Sequence, residues 1–172
     1  MRKTRLLLVG LVVLLVFAMT VNAQVGRRAK KAVSTPQLPA AVSSAITAAF
    51  PGATADEFEQ DTDGGITIYS VDISTGALVD VTADGVILEV FYDTDMKQVP
   101  AAAATAIEKA GGGAKLDEVL RVEVRAEIDD SGKVVKLEKP ETEYSAIFLK
   151  DGKEGEVRVA ADGTILDPLE WY

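Results

Sequence analysis

Carboxylates and a few hydroxyls are the chemistry-bearing groups of this chain, and their spacing limits what they can do. Glu59-Gln60-Asp61-Thr62-Asp63-Gly64-Gly65 opens like a calcium loop, in which oxygen ligands on alternate residues converge on a hard cation. A complete loop needs a further ligand two residues after Asp63 and a glutamate at the twelfth position from Asp61. Gly65 and Asp72 stand there instead, so the stretch reads first as a hairpin turn. Asp93 and Asp95 repeat the alternate-acid spacing and read as a solvated connection. Asp61, Asp63, Asp93 and Asp95 are the candidate cation contacts, with no resident metal and no cofactor expected. A second charged stretch, Asp129-Asp130-Ser131-Gly132-Lys133, has the composition of a turn. Its side chains Asp129, Asp130, Ser131 and Lys133 are the candidate partner contacts, carried on a projecting tip.

The residues that are missing narrow the chemistry further. The chain has no histidine and no cysteine, which removes His-dependent triads, Cys–His dyads and Cys/His zinc sites. No Ser-x-x-Lys spacing occurs. Paired acids can hydrolyse glycosides without histidine, but in a chain this acidic two neighbouring carboxylates carry little information. No catalytic residues are assigned and no enzymatic activity is expected. Disulfides are excluded by the same composition.

Met1-Arg2-Lys3-Thr4-Arg5, an apolar run from Leu6 to about Val21, and Val21-Asn22-Ala23 form a secretory signal pattern over residues 1–23. A run of roughly 16 residues is short for a spanning helix, which needs about 20. The alternative is an uncleaved N-terminal anchor, favoured by Arg27, Arg28, Lys30 and Lys31 in the basic arm of residues 24–36. After cleavage no membrane contact is expected, and the protein is periplasmic or secreted. Loss of Arg2, Lys3 and Arg5 lowers the net charge from −9 to −12. Residues 37–96 hold eleven acids and no Lys or Arg. Such a body repels nucleic acid, whose phosphates need clustered basic residues.

The elements that position these groups are written in periodicity. Leu38, Val42, Ile46 and Phe50 make an apolar helical stripe that Phe50-Pro51-Gly52 ends. Strand-like runs follow at 53–59, 66–73, 77–82 and 86–92, separated by Gly-rich turns. The order returns with a helix carrying Val99, Ala103 and Ile107, closed by Gly111-Gly112-Gly113, and strands at 116–128, 133–149, 154–160 and 164–166. Val79-Asp80-Val81-Thr82-Ala83-Asp84-Gly85-Val86-Ile87-Leu88-Glu89 matches residues 157–167, "VRVAADGTILD", at seven of eleven positions. Asp-Gly in each copy predicts a tight hairpin with positive φ angles. The surplus length of the second half falls at 125–143, which predicts a charged, solvated arm with little core contribution.

Leu38-Pro39, Phe50-Pro51-Gly52-Ala53, Tyr69-x-Val71 and Ala83-Asp84-Gly85 together resemble the PepSY-like, beta-lactamase-inhibitor-like family of exported bacterial proteins. In the second half Tyr144 and Ala161-Asp162-Gly163 still fit, while Gly111 to Gly113 depart from the pattern. The resemblance implies an α+β fold, a tandem repeat of one helix packed on a four-stranded antiparallel sheet, with repeats at 37–96 and 97–172. It also implies a noncatalytic binding or inhibitory module whose protein partner is unidentified, a protease or other hydrolase being the class linked to the family. The alternatives are a structural or accessory cell-envelope protein and an acidic domain responsive to divalent cations.

Overall fold

A computed structural model describes residues 37–172 apart from 64. The signal peptide and basic arm expected over 1–36 lie outside the described residues. Helix α1 (Ala40–Ala49) precedes strands β1 (Ala55–Asp63), β2 (Ile66–Ile73), β3 (Ala77–Thr82) and β4 (Ile87–Asp93). A 3₁₀ turn at Met96–Gln98 leads to α2 (Ala101–Gly111), then β5 (Lys115–Ile128), β6 (Val134–Lys150), β7 (Lys153–Ala160) and β8 (Ile165–Trp171). Pro39 and Pro100 stand at the two helix N-caps, where a missing N–H costs nothing. Val42 and Ile46 are buried on α1, and Ala103, Ile107 and Gly111 on α2, following the i, i+4 spacing of one helical face.

The expectation of one helix on each of two four-stranded sheets is wrong. All eight strands form one antiparallel sheet in the order β1-β2-β3-β4-β5-β6-β7-β8. The join is the β4–β5 ladder, running from Glu89↔Val124 to Asp93↔Leu120. Its physical reason is edge satisfaction: pairing β4 with β5 removes two rows of unpaired backbone groups and leaves edges only at β1 and β8. Pro168 lies in edge strand β8, where a missing donor is tolerated.

Both helices pack on the same side of this sheet. Val42 and Ile46 of α1 meet Val71, Val79, Val81 and Val90, while Val99, Ala103 and Ile107 meet Val119, Tyr144, Phe148, Val157 and Val159. Gly111 gives α2 its close approach, since a Cβ there would lie 2.3 Å from the Phe148 ring. The repeated Ala-Asp-Gly turns are three-residue loops, not two-residue ones. Only their glycines have positive φ, +86° at Gly85 and at Gly163. The first turn of each helix rests on them: a Cβ would lie 2.7 Å from the Ala41 carbonyl oxygen at Gly85 and 2.7 Å from that of Ala102 at Gly163.

The arm at 125–143 also differs from expectation. Pro140 sits in an excursion of β6, where residues 137–140 have no ladder partners and pairing resumes at Ala126↔Lys136. Beyond it the hairpin curls over the sheet face that lacks helices. Ala126 is 2% exposed and, with Ile128 and Val134, packs against Ile66, Ile68, Val86 and Leu88. The root of the arm is therefore core, because contacts from β5 to β2 depend on sheet curvature that alternation alone does not encode.

Candidate functional site

Side-chain alternation sends Ser70, Leu78, Asp80, Glu89, Phe91 and Arg158 to the face opposite the helices. This face is a trough with three zones. At one end lies the apolar cluster under the β5–β6 hairpin. In the centre, Arg158 Nη1 donates to Glu89 Oε1 at 3.0 Å, and Arg158 Nε lies 3.5 Å from Glu89's companion acid Glu143. Arg158 is on β7 and Glu89 on β4, three strands away, a separation of about 14 Å on a flat sheet. The pair thus spans β5 and β6, whose Val122 and Ser145 on this face are fully buried. Ser145 donates to Glu156 at 2.6 Å, and Ser70 donates to Asp80 at 2.7 Å.

The electrostatics of the centre are unbalanced. Burial pushes Asp80 up to about 6, opposed by the Ser70 hydrogen bond, reinforced by Glu89 and opposed by Arg158. Burial works to lower the Arg158 pKa, but Glu89, Glu143 and Glu156 outweigh it and raise the net value. Glu89 Oε2 and Arg158 Nη2 are buried without a hydrogen-bond partner among the described residues.

At the other end, a diagonal stripe of Leu78, Phe91, Leu120 and Ile147 crosses β3 to β6 and stays partly exposed. Asp72 and Asp93 fringe it from β2 and β4, and Glu118 and Glu156 from positions opposite Ile147 on β5 and β7. Glu118 is held above its ordinary value, first by burial and then by Asp93 and Asp117.

The residues singled out from sequence are scattered across this frame. Asp61 and Asp63 lie at the β1–β2 turn, whereas Asp93 and Asp95 lie at the opposite end of the sheet, so the four do not meet. Asp61 accepts from the Thr62 N–H, and Asp95 caps the 3₁₀ turn by accepting from the Lys97 N–H at 2.8 Å. Among the described residues no group of three or more acidic side chains is arranged to hold a metal ion. At the hairpin tip, Asp129 Oδ1 accepts from the N–H groups of Ser131 and Lys133 and from the Ser131 hydroxyl, which together lower its pKa. Asp129 therefore closes its own turn, while Asp130 and the Lys133 side chain are exposed. Sequence reading missed Asp80, Glu89, Glu143 and Arg158. The available signal was polar residues inside Val-rich strands, at Val79-Asp80-Val81 and Val157-Arg158-Val159.

No family model matches the chain, and no curated protein matches it. Solved structures do resemble it. A BLIP-like protein from Bacteroides fragilis has 18% identity and a TM-score of 0.50, covering 78% of this chain and 87% of that one. A candidate periplasmic protein from Bacteroides eggerthii has 15% identity and a TM-score of 0.55, covering 79% and 90%. A DUF2874 family protein from Bacteroides ovatus has 14% identity and a TM-score of 0.53, covering 80% and 89%. At these identities the likeness is one of fold. The fold is BLIP-like, and none of these comparisons carries the PepSY part of the resemblance read from sequence.

Proposed function

We propose that this is an exported, noncatalytic protein-binding module that docks its partner in the trough. The observation that carries the reading is the stripe of Leu78, Phe91, Leu120 and Ile147, partly exposed on the face that neither helix covers and fringed by carboxylates. An apolar centre with a charged rim is how protein interfaces are built. The rim chemistry selects a partner presenting Lys or Arg around an apolar contact. Asp130 and Lys133 extend the surface from the hairpin tip, the partner-contact region read from sequence.

Inhibition of an exported protease or other hydrolase is the specific form of this reading, supported by the likeness to a BLIP-like protein. Export is supported by the signal pattern of residues 1–23 and by the likeness to a candidate periplasmic protein. No helix among the described residues is long and apolar enough to cross a membrane. Ser145 is fully buried, which separates the Ser145–Glu156 pair from any substrate.

Capture from the exported fraction of the source cell with the full chain as bait tests the proposal. Recovery of one stoichiometric hydrolase whose activity falls on binding is the expected result. Recovery of wall or membrane material alone would favour the accessory-envelope alternative.

A further inference from the structure

The two matching stretches differ most in charge at one pair of equivalent positions. Asp80 in the first stretch stands where Arg158 stands in the second, and Glu89 stands where Asp167 stands. Register makes each a cross-strand pair, Asp80↔Glu89 on β3 and β4 and Arg158↔Asp167 on β7 and β8. The second register pair is opposite in charge. The first places two carboxylates on adjoining strands at the centre of the trough, Glu89 buried and Asp80 part-buried, where like charges cannot both ionise without penalty.

The hydrogen bonds around the first pair fit one extra proton. Ser70 occupies Asp80 Oδ1, and Arg158 occupies Glu89 Oε1. Glu89 Oε2 is left buried with no donor among the described residues. Protonation of Asp80, the cross-strand neighbour of Glu89, would add a donor on the adjoining strand. We propose that the Asp80–Glu89 pair is a proton-operated latch on the trough: one proton between the carboxylates holds it closed in mildly acidic surroundings, and its release toward neutral pH loosens it.

Among the described residues, Arg158 is the cation that acts on Asp80. Ser70 and Asp72 approach from β2, Glu89 from β4, Glu143 from β6, and Arg158 and Glu156 from β7; β5 contributes the neutral Val122 and Val124. Glu59 of β1 and Asp167 of β8 add further negative charge at the margins. Arg158 is the one cation among these groups, and it already serves Glu89 and Glu143. Loss of the proton leaves Asp80 charged beside Glu89 and sets Asp80 against Arg158's existing partners. Because Arg158 ties β7 to β4, that competition acts on the width of the trough.

Asp80 titrates near 6 in the folded chain against 3.8 for the free side chain, so the native state holds the extra proton between these values. Its contribution to stability is therefore greatest on the acid side and falls as pH rises through about 6. The test is a carboxyl-carbon NMR titration of Asp80 in the full chain, with urea unfolding of the native chain and of Asp80→Asn at pH 5 and pH 7. The asparagine keeps the acceptor for Ser70 and cannot ionise. Between these pH values the folded-to-unfolded ratio of the native chain should fall about tenfold relative to Asp80→Asn. Protection factors of the Glu89 and Arg158 amides, which remove the intrinsic rise of exchange with pH, should fall over the same range in the native chain only. An Asp80 midpoint at or below 3.8, or the same pH slope in both proteins, would overturn the latch. Should Asp80→Asn not fold, the carbon titration decides alone.

Discussion

Gly85 and Gly163 show why three residues recur in a chain whose halves have otherwise diverged. Each supplies a positive φ and the space for a helix backbone to land. Replacing Gly85 with alanine adds a left-handed strain of about 1 kcal/mol to a steric clash of about 1–3 kcal/mol. Urea unfolding of Gly85→Ala and Gly163→Ala should show losses of about 2–4 kcal/mol each, and the double variant their sum, since the sites are remote. A loss below about 0.5 kcal/mol would mean that the helices do not rest on these turns. Asp-Gly announced a hairpin in the sequence, but the helix above it was invisible because the contact is made to a backbone carbonyl. Arg158 was illegible for a related reason: its partner Glu89 is 69 residues away, and only curvature brings them together. Arg158→Met should cost about 3–5 kcal/mol in the same assay, because buried Glu89 loses the guanidinium that donates to it.

At the scale of elements, periodicity located both helices and all eight strands but misjudged what the strands touch. The β5–β6 hairpin reads as charged because Arg125, Glu127, Lys133, Lys136 and Glu138 alternate with smaller apolar residues. Half of that alternation, Ala126, Ile128 and Val134, turns inward onto Ile68 and Leu88. Replacing residues 129–133 with a two-residue Asn-Gly turn should leave the unfolding midpoint nearly unchanged, because loop closure varies by less than about 1 kcal/mol. Val134→Asp should instead cost about 2 kcal/mol, the apolar burial lost plus a carboxylate set against Ile128. Equal tolerance of both changes would show that the hairpin does not curl onto the sheet.

The whole molecule is one sheet because β4 and β5 pair, a fact that no motif records. Each half carries its own helix and hairpins, so local signals describe two separate units. Backbone edges, which every strand possesses whatever its sequence, decide that they join. Unfolding should then be a single transition, with Trp171 fluorescence on β8 and far-ultraviolet circular dichroism of all eight strands coinciding. Separate midpoints would mean that the β4–β5 ladder and the Arg158–Glu89 pair do not couple the halves. Docking in the trough is the central claim, and it has a direct measurement once the partner is in hand. Calorimetric titration of that partner should show at least a hundredfold weaker binding to Leu78→Lys and Leu120→Lys, a loss of about 3 kcal/mol. Thr47→Lys, on the outer side of α1, should bind as the native chain does. Unchanged affinity in the two trough variants, with their unfolding midpoints preserved, would contradict the account.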